Sequence, residues 1–222
     1  MNRIFVILGN VQIGLQVILW LLCFYWLDFE LFTFILNDNY FMKTLLGIML
    51  LTCQVFFSQN FYFLIKIDSV FEAEKNGIFE LENVSEKHDY TTCKKCNILR
   101  PKRAHHCRYC NKCILRMDHH CFTFNKCIGK RNYLIFLKYL ITTEINISFI
   151  LWITLYVCIN YYSEIKWFTL IKYAILIFAS FMGSLALFFY LLFHLYLYLA
   201  KITTLELFYP SLRITQKAEI SD

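Results

Sequence analysis

Four windows free of charged side chains, Ile4 to Leu27, Thr44 to Ile65, Ile145 to Ser163 and Tyr173 to Ala200, constrain this chain more than any other feature. Each matches or exceeds the roughly 18 apolar residues that read as a bilayer-crossing helix. With 59% hydrophobic residues and a positive mean hydropathy, the chain carries more apolar surface than a soluble domain could bury. The expected fold is an all-α polytopic membrane protein with four transmembrane helices. The first window is read as a span and not as a signal peptide, because bulky or acidic residues (Asp28, Phe29, Glu30, Leu31) follow it in place of a small-residue cleavage site. Gln54, Ser58, Gln59 and Asn60 in the second are expected to face a bundle interior. The third starts earlier, near Tyr133, if Lys138 snorkels and Glu144 faces other helices. The fourth, at about 1.5 Å per residue, is long enough to tilt or to project beyond the hydrocarbon.

Charge sets the orientation. Fourteen of the 22 Lys and Arg lie between Lys66 and Arg131, whereas the loop after the first window carries Asp28, Glu30 and Asp38 before Lys43. By the positive-inside rule the basic segment is cytosolic, and four spans put both termini beside it. The expected location is therefore an integral multi-pass protein of the endoplasmic reticulum, Golgi or plasma membrane. Asn83-Val84-Ser85 is a glycosylation sequon that a cytosolic segment leaves unmodified.

Seven of the ten cysteines fall between Cys93 and Cys127, among His105, His106, His119 and His120. On the reducing side of a membrane such a cluster holds metal sooner than disulfides. Short C-x2-C steps let two thiolates from one knuckle reach one tetrahedral ion. Cys93, Cys96, Cys107, Cys110, Cys113 and Cys127, with two of the four histidines, fill two Cys3His sites and leave Cys121 over. Residues 68–130 have few long apolar runs, so two structural zinc ions would supply the folding free energy that a core cannot. The expected divisions are 1–67 (first two spans), 68–132 (zinc domain), 133–200 (last two spans) and 201–222 (cytosolic tail). The basic residues of the module are better explained by anionic lipid than by nucleic acid, which is not an expected partner.

At Asp118-His119-His120-Cys121 the chain resembles the DHHC protein S-acyltransferases, membrane enzymes that attach fatty acyl groups to protein cysteines. The likeness extends over Cys93-x2-Cys96-x3-Arg100-Pro101-x-Arg103, His105-His106-Cys107, Cys110, Cys113, Met117, Asn125, Cys127-Ile128-Gly129, Asn132 and Phe136 in order and spacing, and over Thr203-Thr204-Leu205-Glu206, which is similar to the family's TTxE motif. The resemblance implies one zinc on Cys93, Cys96, His106 and Cys113 and another on Cys107, Cys110, His120 and Cys127. It also implies structural support of Asp118 by a threonine of Thr203-Thr204, with Glu206 beside them. Three departures stand out. Phe122-Thr123 occupy the place of the family's Pro-Trp, Lys126 stands where Asn is common, and no asparagine follows Asn160 to form the family's C-terminal element.

The implied activity is protein-cysteine S-palmitoyltransfer, with palmitoyl-CoA or another long-chain acyl-CoA as co-substrate and substrate-protein cysteines at the cytosolic membrane face as acceptors. Cys121 is the expected nucleophile, His119 its base and Asp118 the orienter of His119, because an unperturbed thiol is mostly protonated at neutral pH. Arg116, Lys130 and Arg131 are the expected contacts of the acyl-CoA phosphates. Without appended domains, substrates are recruited by the core or by an accessory subunit. The alternative is a catalytically inactive, zinc-containing membrane adaptor of the same fold, which Phe122-Thr123 favours.

Overall fold

The computed structural model describes residues 40–70, 90–163 and 165–213. The first window, the sequon at Asn83 and the tail from 214 onward lie outside the described residues. Helices α1 (Tyr40–Lys66), α2 (Tyr133–Asn160), α3 (Trp167–Leu199) and α4 (Thr204–Phe208) are joined by strands β1 (Tyr90–Cys93), β2 (Ile98–Pro101), β3 (His105–Cys107), β4 (Lys112–Ile114), β5 (His119–Cys121) and β6 (Lys126–Ile128), and a 3-10 turn spans Pro210–Arg213. Among the described residues, α1 to α3 each contain a stretch long and apolar enough to cross a membrane. The expectation of helices holds for these apolar segments. Among the described residues between α1 and α2, 90–128 form instead three antiparallel two-stranded hairpins, since closely spaced cysteines at tight turns leave no run there long enough for a helix.

Helix bounds differ from the charge-free windows for local reasons. α2 begins at Tyr133, whose amide bonds Gly129 O at 2.9 Å, and it stops at Asn160, short of Ser163. α3 begins at Trp167, ahead of Lys172, because a lysine ends a charge-free window without breaking helical hydrogen bonding. At its other end Ile202 N bonds Leu197 O and Lys201 N bonds Tyr198 O, both at 3.1 Å, with Lys201 at φ 54°. This is a Schellman stop with a lysine in the left-handed position usually held by glycine, and Ile202 packs in the buried place that accompanies it.

Two compact units divide the described residues: 64–70, 90–136 and 196–213 form one, and 40–63, 137–163 and 165–195 the other. In the second, Ile153, Val157, Ile165 and Tyr173 make a core against Phe149, Tyr161 and Leu170. Glu144 on α2 faces α3, accepting hydrogen bonds from Ser184 Oγ at 2.6 Å and Ser148 Oγ at 3.1 Å. On α1, Gln54 and Asn60 are half-buried but Ser58 and Gln59 are exposed, so only two of the four polar residues expected to turn inward do so.

In the first unit, Cys107, Ile114, Met117 and Cys127 cluster against Val70, Tyr109 and Leu205. Asn132, fully buried, joins three segments of it. Its Oδ1 accepts from Ser69 Oγ (2.7 Å) and Gly129 N (2.9 Å), while Nδ2 donates to Cys127 O (3.0 Å) and Ile67 O (3.2 Å). The chain passes so closely at Gly129 that a Cβ there would lie 2.7 Å from Leu115 O. Asn132→Ala leaves these partners buried without replacements, each costing about 1–3 kcal/mol. A loss of about 3 kcal/mol or more is expected, read as a lower denaturant midpoint for release of bound metal.

Candidate metal centres and active site

The three hairpins are one unit repeated at a spacing of fourteen residues. Cys93-x2-Cys96-Asn97, Cys107-x2-Cys110-Asn111 and Cys121-x2-Phe124-Asn125 occupy equivalent positions, and His105-His106-Cys107 with Asn111-Lys112-Cys113-Ile114 recurs as His119-His120-Cys121 with Asn125-Lys126-Cys127-Ile128. Asn97, Asn111 and Asn125 all take positive φ (53°, 52° and 49°), which asparagine tolerates better than other side chains with a Cβ. Strand register repeats too: His106 pairs with Cys113, and His120 with Cys127.

Repetition explains the interleaved donors. Cys93 and Cys96 of the first hairpin meet His106 and Cys113 of the second; Cys107 and Cys110 of the second meet His120 and Cys127 of the third. Within each group all donor atoms lie within 4.8 Å of one another, an arrangement that can hold a metal ion. His106 Nδ1 is 3.1 Å from Cys96 Sγ and 3.7 Å from Cys93 Sγ, and His120 Nδ1 is 3.4, 3.6 and 3.7 Å from Cys110, Cys127 and Cys107. Tetrahedral zinc with bonds near 2.3 Å to sulfur and 2.1 Å to nitrogen has edges of about 3.6–3.8 Å, so three thiols and one imidazole Nδ1 fit zinc in both groups. The third hairpin has no successor to complete a site for its own first cysteine. Its second knuckle position is the buried Phe124, and Cys121 belongs to neither group.

Strand alternation separates the donor groups from the face that bears His119 and Cys121. Successive side chains on β5 point to opposite faces, so His120 turns to the metal group while His119 and Cys121 share the other face. There His119 Nδ1 lies 2.7 Å from Asp118 Oδ2, with its ring edge-to-face against Phe136. Asp118, 1% exposed, also accepts from Thr204 N on Oδ1 and from Thr204 Oγ1 on Oδ2, both at 2.8 Å. Burial works to raise the Asp118 pKa, but the hydrogen bonds from His119 and Thr204 outweigh it and hold the carboxyl below its ordinary value. Burial likewise disfavours the His119 imidazolium, yet Asp118 and the Cys121 sulfur push its pKa up to about 9. For Cys121 burial acts upward, and His119 together with the amides of Phe124 and Thr123 brings the thiol below its usual value. Those amides belong to the knuckle turn whose counterparts in the first two hairpins direct amides at Cys93 and Cys107.

The two threonines have different tasks. Thr203 caps α4, accepting from Glu206 N at 3.2 Å, while Glu206 Oε2 accepts from Thr203 N at 2.9 Å in a capping box. Thr204 is the one that touches Asp118. Glu206 is buried and clasped by Arg103, with Nε to Oε1 at 2.6 Å and Nη2 to Oε2 at 2.7 Å; a solvated helix-end carboxylate is thereby ruled out. Sequence reasoning missed this partner of Glu206, since 103 residues separate the two and only the motif's Arg103 hinted at a fixed role.

Of the three expected phosphate contacts, Arg116 and Lys130 line one cavity of about 440 Å³, and Arg131 is exposed and outside its lining. Phe122 is 59% exposed and sits edge-on to His120 and Tyr109, with centroids 5.0 Å away in both cases. Lys126 ties the third hairpin to the end of α1, donating to Ile65 O and Ile67 O and pairing with Asp68 at 2.8 Å.

Helices apolar enough to span a bilayer, two Cys3His groups that could each hold a metal ion and one cysteine outside both define the class: a membrane protein with a cysteine-rich module. Residues 86–209, more than half of the 222, match the family model described as DHHC palmitoyltransferase, and the chain belongs to that family. A comparison with curated proteins found no match.

Proposed function

We propose that this family member is an active protein S-acyltransferase working through an acyl-enzyme on Cys121, with a long-chain acyl-CoA, palmitoyl-CoA foremost, as donor. The observation that carries the reading is the Thr204–Asp118–His119 chain of hydrogen bonds on the face of β5 that also bears Cys121. In the first step the Cys121 sulfur attacks the thioester carbon, the bond to the CoA sulfur breaks, and the departing thiolate takes the proton from His119. In the second, a substrate-protein thiol gives its proton to His119 and attacks the acyl-Cys121 carbonyl, restoring the Cys121 thiolate. Asp118 fixes the His119 tautomer and balances its charge in both steps. Zinc on Cys93, Cys96, His106 and Cys113, and on Cys107, Cys110, His120 and Cys127, would order the hairpins and supply folding free energy, without entering bond making.

The positive field of the module, including Arg116, Lys130 and Arg131, favours the CoA phosphates at its surface. Four spans, counting the window from Ile4 to Leu27, with the module and both termini in the cytosol, agree with the Lys and Arg distribution. A glycosidase-sensitive mass shift at Asn83 would reverse that orientation.

The test is incubation of the purified full chain with labelled palmitoyl-CoA. The expected result is about one acyl group per chain, released by neutral hydroxylamine and mapped to Cys121. No label at all would favour the inactive adaptor, for which the Phe122-Thr123 departure is the supporting observation.

A further inference from the structure

The cavity of about 440 Å³ falls within the range of ligand-sized pockets, about 300–1,000 Å³. Its rim carries Arg116, Lys130 and Lys201, and its wall includes Leu134 and Leu199, which are 53% and 79% exposed at the ends of α2 and α3. Tyr133 and Tyr198 stack inside it with centroids 6.5 Å apart. Asp118, His119 and Cys121 are absent from its lining. A basic rim, tyrosines at the level where apolar helices end, and exposed leucines beside them form the chemistry that receives a phosphate headgroup and the first methylenes of its acyl chain.

The backbone carries a second, independent sign. Arg116 and Lys201 adopt φ 45° and 54°, where glycine or asparagine is relaxed and a long basic side chain is strained. The hairpin turns of the same unit use asparagine at such positions, whereas these two hold cations. The strained loops are fastened to each other: Arg116 Nη2 donates to Lys201 O at 2.8 Å, and Arg103 Nη2 donates to the same oxygen at 3.0 Å. The nearby carboxylate, Glu206, is buried and clasped by Arg103.

We propose that this cavity is a binding site for an anionic phospholipid of the surrounding bilayer, its phosphate held by Arg116, Lys130 and Lys201 and its chain lying along Leu134 and Leu199. Sequence alone suggested a diffuse attraction of the basic module to the membrane surface, with Arg116 and Lys130 on the acyl-CoA phosphates. The site is local and stoichiometric, it takes Arg116 and Lys130 away from the CoA phosphates, and it enlists Lys201, which no motif singled out.

Full-length protein in nanodiscs containing equal phosphatidylglycerol and phosphatidylcholine, examined by native mass spectrometry without acyl-CoA, tests it. One phosphatidylglycerol is expected to stay with each chain in preference to phosphatidylcholine. Lys201→Asn, which keeps a residue tolerant of the left-handed backbone, should weaken retention about fivefold, while Arg131→Asn, outside the cavity, should leave it unchanged. Equal retention of the two lipids, equal effects of Lys201→Asn and Arg131→Asn, or displacement of the lipid by free CoA at comparable concentration would each overturn the proposal, the last by giving the cavity to the donor. Zinc content is scored on the same samples, so that a variant failing to fold is recognised and the wild-type comparison of lipids and CoA decides. Acyl labelling of Cys121 is measured separately, so failure of this site and failure of the transferase reading are distinct results.

Discussion

Cys121→Ser is expected to abolish hydroxylamine-sensitive acyl labelling, and Asp118→Asn to slow it by about 10³-fold or more while leaving two zinc ions bound. The first follows from the hairpin repeat: Cys121 is the one knuckle cysteine that joins neither donor group, so no neighbouring thiol of the module is available to replace it. The second follows from donor counting. Asp118 receives three hydrogen bonds, from Thr204 N, Thr204 Oγ1 and His119 Nδ1. An asparagine must present its own N–H2 to one of these donors, so either the tie to Thr204 or the His119 tautomer is lost; in triads with an equivalent carboxylate the corresponding change costs about 10⁴ in rate. Thr204→Val removes one of the three bonds and is expected to cost about tenfold, since one hydrogen bond to a charged group contributes about 1.5–3 kcal/mol. Single-turnover labelling rates read all three. A Cys121→Ser chain that still takes up label, or an Asp118→Asn chain that labels at the wild-type rate, would remove the basis for the mechanism.

Legibility followed the range of the interactions. Donor residues sit at knuckle spacing within 35 residues of chain, so tetrahedral chemistry confined the ligand set and left Cys121 over before any coordinates were known. The fourteen-residue repeat was equally present in the sequence, and reading His105 to Ile114 against His119 to Ile128 would have explained the interleaving without a family resemblance. Helix bounds were blurred because a charge ends an apolar window but not a helix, as Lys172 in α3 illustrates. The assignment of Thr204 to Asp118 and of Arg103 to Glu206 depends on bringing α4 back to the hairpins, a long-range closure on which local pattern is silent. Arg116 and Lys130 were expected at a phosphate; the fold places them with Lys201 around one cavity and Arg131 outside its lining.

Chelation is expected to remove both metal ions together and collapse the hairpin module. Zinc binding to finger peptides contributes about 10–16 kcal/mol, as much as the whole stability of a typical domain at about 5–15 kcal/mol. The apolar cluster of Cys107, Ile114, Met117 and Cys127 contains two of the ligands, so metal and core fail as one. Because each donor group joins a cysteine pair from one hairpin to a His–Cys pair from the next, adjacent residues such as His106 and Cys107 belong to different groups. Freeing His106 and Cys113 therefore loosens the strands that hold Cys107, and Cys93→Ser is expected to lower zinc from about two per chain to well below one, not to one. Proteolysis between residues 90 and 132 and loss of acyl labelling should accompany it. The helical circular dichroism of α1 to α3 should persist, because a helix in an apolar medium satisfies its backbone internally. A Cys93→Ser chain that keeps one full equivalent of zinc in a protease-resistant module would show that the two centres fold independently, against the linkage that the shared hairpin imposes.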